Sequence, residues 1–417
     1  MDKLRIVGGK RLCGTVEIHG AKNAVLPILA ACVLPQGPCV VSRCPDILDL
    51  QAAADILRCL GCECEKTGSA FAVDASMAKT TEIPPKLMRK MRASVNFLGA
   101  LLAKHGECTL SLPGGCSLGG RPIDYHISAL GGLGVQLEEK GQELHFFWPR
   151  PKEGEITLPF PSVGATENVV LAALAVPGTV VLHNAAKEPE VCDLCGFLRA
   201  MGAKISGDGT DSIHIEGGKT LFGAAYAVMP DRMEAATYLA MAAACGGKIT
   251  LQNAKKEHLL PVLQVLETCG CRIGAAYNTV TLEAPQRLRG NVSVETAAYP
   301  GFPTDAQAPV MAALLQNCGT AEIRDTVFPA RFRHVQQLRK FGADIRLEND
   351  RAIVRGVESL RPAHASATDL RGGAGVVIAA LQAEGESTVD NMHFVGRGYA
   401  GLKENLRLLG AEVSDHF

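Results

Sequence analysis

The sequence predicts an α/β fold of six repeated units of about 70 residues each, forming two bodies of three units with helices inside and sheets outside. Three observations predict it. A helix end closed by glycine recurs six times, a small-residue apolar helix recurs six times in the same register, and short alternating strands follow them. Glycine is also in excess, with 44 among 417 residues, while aromatic residues make up only 5%. That composition suits tight turns and close packing of small aliphatic side chains.

The glycine-closed helix ends come in order along the chain. They are Leu57-Arg-Cys-Leu-Gly61, Leu130-Gly-Gly-Leu-Gly134, Leu198-Arg-Ala-Met-Gly202, Leu266-Glu-Thr-Cys-Gly270, Leu338-Arg-Lys-Phe-Gly342 and Leu406-Arg-Leu-Leu-Gly410. Successive glycines are 73, 68, 68, 72 and 68 residues apart. Leu and the residue three later share one helix face, and glycine suits the left-handed position just past a helix. An alternating strand follows, as in Ala203-Lys-Ile-Ser and Ala343-Asp-Ile-Arg.

The apolar helices span Lys22 to Gly37, Arg92 to Gly106, Ala165 to Gly178, Arg232 to Gly246, Asp305 to Gly319 and Arg371 to Gly385. They are rich in Ala, Val and Leu on nearly every side, as in Val169-Val-Leu-Ala-Ala-Leu. A helix that is apolar all round is buried. One buried helix per unit, with amphipathic strands beside it, gives three helices packed inside three sheets, twice over. The starts of these helices carry Lys22, Arg92, Arg232, Asp305 and Arg371. A helix N-terminus offers unpaired N–H groups and partial positive charge, and an added Lys or Arg makes it an anion site. These polar residues differ from unit to unit, which favours one asymmetric site over the repeated face of a scaffold.

Lys+Arg is 42 and Asp+Glu is 43, for a net charge of −1. No nucleic-acid or membrane-surface role is expected of such a balance, although a local basic cleft is compatible with it. The fifteen cysteines are odd in number and the chain is too long for a small disulfide scaffold. Residues 1–9 hold no apolar signal segment. The longest apolar run, Ala24 to Val41, is interrupted by Pro27, Pro35 and Pro38. A cytosolic chain with reduced thiols and no membrane span is therefore expected.

The most distinctive stretch is Leu112-Pro-Gly-Gly-Cys116-Ser-Leu-Gly-Gly-Arg121-Pro122. Glycines on both sides favour an accessible Cys116, and Arg121 would favour its thiolate, so Cys116 can serve as nucleophile or proton donor. Cys59-x-x-Cys62-x-Cys64 and Cys192-x-x-Cys195 look like halves of zinc sites, but no histidine cluster completes either, so no metal is expected. Asp305, opening a buried helix after Pro303-Thr304, reads either as a helix cap or as a general base facing cations. Arg331, Asp369, Arg371 and Arg397 add polar groups at loops or helix starts.

Taken together, several of these stretches resemble the UDP-N-acetylglucosamine 1-carboxyvinyltransferases, enolpyruvyl transferases of the EPSP synthase family. They are Lys22-Asn23, Met91-Arg-Ala-Ser, Leu112-Pro-Gly-Gly-Cys116 with Arg121-Pro122, Ser162-Val-Gly-Ala-Thr, Pro230-Asp-Arg, Phe302-Pro-Thr-Asp305, Ala367-Thr-Asp-Leu-Arg371 and Gly396-Arg-Gly-Tyr. The resemblance runs through essentially the whole chain, and the Cys loop is its most specific part. It implies the inside-out α/β prism, with one three-unit domain over residues 22–229 and a second over 230–417, completed by residues 1–21. The active site would lie between them.

The resemblance further implies transfer of the enolpyruvyl group of phosphoenolpyruvate to the 3′-hydroxyl of UDP-N-acetylglucosamine, the first committed step of peptidoglycan synthesis, with no metal or cofactor. Cys116 matches the general acid that can form a phosphoenolpyruvate adduct, and Asp305 matches the residue that takes the hydroxyl proton. Lys22, Arg121 and Arg397 match phosphate-side cations. Arg92, Arg331 and Arg371 match further positive charge, and Asn23 and Asp369 fall in matching substrate motifs. Arg121, Pro122, Ile123, Asp124 and Tyr125 match the uracil region. Ser162, Val163 and Gly164 match the diphosphate contact, and Val327 a position near the sugar. Two positions depart from some members: Phe160-Pro161 stands where a Lys precedes the serine, and Tyr125 replaces a smaller aliphatic residue. The other readings are the related transferase acting on shikimate 3-phosphate and a duplicated member of low activity. The former does not use the Cys loop, and no counterpart of its Asn-Ala-Gly-Thr motif is present.

Overall fold

A computed structural model describes residues 2–111, 123–141, 143–328 and 331–415. They fall into two compact units. The described residues of 20–229 form one, and those of 2–19 and 230–415 form the other.

Each unit contains three four-stranded sheets. All six sheets share one plan. A first strand pairs in parallel with the strand that follows the buried helix, and two antiparallel neighbours complete the sheet. In the third repeat, for example, Gly154–Thr157 leads into the helix Val163–Ala173 and pairs in parallel with Thr179–His183. The outer helix Pro189–Ala200 then leads to the hairpin strands Lys204–Ser206 and Ser212–Glu216. The sheets are one-sided: Val180 and Leu182 are buried, whereas Thr179 is exposed.

Three sheets borrow strands from distant sequence. Cys13–Glu17 pairs in parallel with Lys248–Gln252, in the repeat whose helix is Arg232–Ala244. Ala225–Ala227 pairs in parallel with Cys39–Ser42, in the repeat whose helix is Lys22–Ala31. The strand Lys3–Gly8 sits between Gly385–Asp390 and Glu412–Asp415, where the other repeats place a hairpin strand. The N-terminal residues therefore complete two sheets of the unit that holds residues 230–415.

The helices expected to be buried are so. The helix Arg232–Ala244 has every residue from 232 to 243 buried, and Leu370–Gln382 every residue from 371 to 382. The close approach these small residues permit is visible at Gly375, where an added Cβ would lie 3.0 Å from the Ala308 carbonyl oxygen of the neighbouring helix Thr304–Ala313. The helices are shorter than the sequence pattern suggests, because their last turns loosen before the closing glycine. The first ends at Ala31, not near Gly37. Arg92 opens a 3-10 turn, Arg92–Asn96, and the α-helix proper begins at Phe97. The third begins at Val163, two residues ahead of Ala165.

The outer helices end as expected. Gly61, Gly134, Gly202, Gly270, Gly342 and Gly410 all take positive φ, between 87° and 100°. At Gly202 the next N–H, from Ala203, donates back to the Leu198 carbonyl at 3.0 Å, which closes the helix as its sequence signature requires. Among the described residues no helix is long and apolar enough to cross a membrane.

Candidate active site

The buried helices begin with the polar residues that the sequence singles out, and each unit gathers its own group. In the unit of residues 20–229, Lys22 is the first residue of its helix and is buried. Its Nζ lies 2.8 Å from Oδ2 of Asp49, also buried, in the first turn of the outer helix Leu48–Cys59. Removing either partner would leave an uncompensated buried charge, so the pair fixes the ammonium in place. Asn23, next in sequence, is exposed.

Arg92 is half-buried, and its positive field reaches His126. Burial, reinforced by Arg92, pushes His126 down to about 4, so the ring is neutral at pH 7. Nδ1 of His126 is 2.8 Å from the amide Nδ2 of Asn168, which makes Nδ1 the acceptor and leaves the ring proton on Nε2. The ring packs against Gly164, where an added Cβ would come within 2.9 Å of Cε1. Ser162 caps the helix Val163–Ala173, its Oγ accepting the Ala165 N–H at 3.4 Å. Val163 and Gly164 are half-buried in the first turn.

Asp124 opens the helix Asp124–Gly132 and is exposed, and Ile123 before it is buried. The two departures from the family pattern meet in space. The rings of Tyr125 and Phe160 stack with centroids 6.4 Å apart and planes at 25°. Both stay more than a third exposed, so an aromatic surface stands where some members place a lysine. Cys116, Arg121 and Pro122 lie outside the described residues.

In the other unit the central group is Asp305. It is not a helix cap: the cap residue of Thr304–Ala313 is Pro303, and Asp305 lies in the first turn with its carboxylate turned to two arginines. Arg331 Nη1 lies 2.8 Å from Oδ1, and Arg371 Nε donates to Oδ2 at 3.2 Å. Arg331 and Arg371 are both buried, whereas the Asp305 side chain keeps 27% exposure. Burial opposes the charge on Arg371, but Tyr399, Asp305 and Asp231 outweigh it and hold the guanidinium ionised. Its central carbon sits 5.1 Å from the centroid of the Tyr399 ring. The Tyr399 hydroxyl is 2.8 Å from Thr237 Oγ1.

Asp369 is the cap of the helix Leu370–Gln382 and accepts the N–H groups of Arg371 and Gly372 at 3.1 and 2.9 Å. Arg397 ends the short 3-10 turn Val395–Arg397 and is half-buried. His334 is buried and pushed down to about 4 by burial, with Asp369 and Arg331 as its charged neighbours. Arg232 is buried and faces the Tyr299 ring at 5.3 Å. Val327 is half-buried in the turn Asp325–Phe328, whose backbone N–H groups point to Asp325 Oδ1.

The structure adds residues that the sequence pattern misses. Asp49, Asp325, Thr304, His126 and Asn168 are polar residues in or beside the core, each placed by a charged or hydrogen-bonded neighbour. A carboxylate on the apolar face of an amphipathic helix, as at Asp49, is the available sequence signal. Among the described residues no group of three His, Cys, Asp or Glu side chains could hold a metal ion. The described cysteines are all free. Burial raises most of their thiols, Cys62 and Cys44 to about 12 and Cys192 to about 11.

This arrangement offers anion-directed cations at helix starts and one carboxylate held between arginines. Charge fixed in this way can stabilise a charged reacting group. The chain matches the EPSP synthase (3-phosphoshikimate 1-carboxyvinyltransferase) family over residues 6–406. It is 43% identical to UDP-N-acetylglucosamine 1-carboxyvinyltransferase 2 of Caldanaerobacter subterraneus subsp. tengcongensis, over 99% of both chains. It is 42% identical to UDP-N-acetylglucosamine 1-carboxyvinyltransferase 1 of Symbiobacterium thermophilum, over 99% of this chain and 95% of the relative. Among solved structures it resembles the enolpyruvyl transferase NikO from Streptomyces tendae, with TM-score 0.89, 25% identity and coverage of 99% and 98%. It also shares the fold of EPSP synthase from Acinetobacter baumannii, with TM-score 0.74, 17% identity and full coverage of both chains. The inside-out α/β arrangement, the cationic helix starts and this likeness along the whole chain place the protein in the EPSP synthase family, among the UDP-N-acetylglucosamine 1-carboxyvinyltransferases.

Proposed function

We propose that the protein transfers the enolpyruvyl group of phosphoenolpyruvate to the 3′-hydroxyl of UDP-N-acetylglucosamine and releases phosphate. This would be the first committed step of peptidoglycan synthesis, carried out in the cytoplasm. The single observation that carries the reading is the near-full-length likeness to relatives of that name. The carboxylate of Asp305 between two arginines supports it.

In this reading the reaction is an addition followed by an elimination. Cys116 delivers a proton to the methylene carbon of phosphoenolpyruvate, and Asp305 takes the proton of the attacking sugar hydroxyl as its oxygen bonds to C2. The resulting tetrahedral ketal loses a proton from its new methyl group and expels phosphate, which restores the double bond. Lys22, Arg121 and Arg397 bind the phosphate side, and Arg92, Arg331 and Arg371 add fixed positive charge. Charge fixed in advance stabilises the transition state better than water, which must reorient. The buried Asp49 carboxylate, 2.8 Å from the Lys22 ammonium, holds that ammonium in place at the helix start. Arg121, Pro122, Ile123, Asp124 and Tyr125 receive the uracil, and Ser162, Val163 and Gly164 the diphosphate. Asn23 contributes to substrate binding, Val327 lies near the sugar, and Asp369 orders the start of the Arg371 helix.

Fosfomycin, an epoxide analogue of phosphoenolpyruvate, tests the assignment of the acid. It should alkylate Cys116 and abolish turnover, while Asp305→Ala should lower kcat by roughly 10²–10⁴-fold in the protein that remains folded, alongside a lowered thermal midpoint from the two arginines left without it. Inactivation with the label on another cysteine would refute the role of Cys116. Undiminished turnover in Asp305→Ala would refute the role of Asp305.

A further inference from the structure

Three of the six repeats carry an asparagine just after the strand that follows the buried helix. Asn184, Asn253 and Asn391 stand there with left-handed φ of 51°, 54° and 60°. The amide of Asn184 donates to the Leu158 carbonyl at 2.8 Å, and that of Asn253 to the Ile18 carbonyl at 2.7 Å. Leu158 and Ile18 follow the first strands of their repeats, so each asparagine ties two parallel strands together at their ends. In the fifth repeat the same position, after Thr320–Arg324, is Asp325.

An aspartate cannot donate, so the hydrogen bonds reverse. Asp325 is wholly buried and accepts at both oxygens. Oδ1 takes the Thr296 hydroxyl at 2.9 Å and the N–H groups of Val327 and Phe328 at 3.1 and 2.8 Å. Oδ2 takes the Thr304 hydroxyl at 2.7 Å. With its proton committed to Asp325, Thr304 Oγ1 presents a lone pair, and Arg331 Nη1 donates to it at 3.0 Å. That same nitrogen lies 2.8 Å from Asp305 Oδ1. A continuous chain therefore runs from Asp325 through Thr304 and Arg331 to Asp305.

The geometry points to Asp325 as a positioning residue of the active site, acting through the Thr304 hydroxyl to aim Arg331 at Asp305. A structural asparagine would suffice to tie the strands, as Asn184 and Asn253 do in two other repeats. The acid adds the acceptor that sets the direction of the Thr304 hydroxyl. The inference rests on the reading that Asp305 and Arg331 act on the substrates.

Asp325→Asn is the test, because asparagine already fills this position in three other repeats and should fold. Its Oδ1 keeps the bonds to Thr296, Val327 and Phe328, while Nδ2 cannot accept from Thr304. We expect kcat for acceptor-dependent phosphate release to fall about 10- to 100-fold, with KM for both substrates and the thermal midpoint near wild type. Thr304→Val should lose as much, Thr304→Ser should recover most of that loss, and the double variant Asp325→Asn/Thr304→Val should be no worse than either single. Wild-type kcat in Asp325→Asn, or losses that multiply in the double variant, would overturn the inference. So would a crystal structure of Asp325→Asn with Arg331 Nη1 still seated between Thr304 and Asp305, whatever the acceptor. Absence of turnover in the wild type would instead count against the proposed reaction.

Discussion

Asp305 holds one arginine on each carboxylate oxygen, and both arginines are themselves buried against further partners. Arg371 is enclosed by helices and by Tyr399, and Arg331 is held by Thr304. Removing one partner from a buried polar group of this kind is costly. The unit of residues 20–229 has a comparable network: Asn168 joins His126, the Val95 carbonyl and the Gly99 N–H, and Asn96 donates to buried Glu167. It also carries a pH signature. His126 titrates near 4 when folded and near 6.5 when unfolded. Between those values the unfolded chain binds more protons, so stability falls as pH drops from about 6.5 to 4, by about 3 kcal/mol for this group. Buried Glu167 acts in the opposite sense: burial raises its pKa, so its contribution declines as pH rises above the ordinary carboxyl range. His126→Gln should therefore flatten the decline in thermal midpoint between pH 6.5 and 4. An unchanged slope in that variant would show that His126 is not the titrating group.

At the scale of elements, the glycine signature in the sequence is a direct record of geometry. The six helix-closing glycines are legible because only a residue without Cβ reaches φ near 90° easily. The buried helices are legible because Ala, Val and Leu surround them, but their ends are not. Composition says that a helix is enclosed, whereas its last turn depends on the packing of the following strand. The Asp325 device was hidden for a related reason: one acid in a strand-end turn looks like any turn residue until Thr304 and Arg331 are brought beside it. Pairing of the N-terminal strand is likewise a long-range matter. Leu4 and Ile6 alternate with exposed Lys3 and Arg5, which marks a one-sided strand, yet the sequence alone does not say which sheet receives it. The structure places Ile6 opposite Ser387 and Val413, with no exposed surface. Ile6→Ala should cost about 2–5 kcal/mol, read as a lowered midpoint in denaturant at unchanged slope. A cost under about 0.5 kcal/mol, typical of surface positions, would mean that this strand does not belong to the core.

For the whole molecule, six copies of one supersecondary plan yield two units of three sheets each, and the functional residues are what the copies do not share. Lys22, Arg92, Arg232, Asp305 and Arg371 stand at corresponding helix starts, yet they differ in charge and in partner. A repeat that served only stability would have no reason to diverge there. The near-zero net charge gives no hint of this, because 42 Lys and Arg balance 43 Asp and Glu over the whole chain and the total says nothing of where they stand. The central claim, that these groups serve enolpyruvyl transfer to a nucleotide sugar, is tested most directly by phosphate release from phosphoenolpyruvate in a panel of acceptors. Release should require UDP-N-acetylglucosamine and match, mole for mole, the enolpyruvyl nucleotide sugar formed. Release with shikimate 3-phosphate in its place, or no release with either acceptor, would contradict the account.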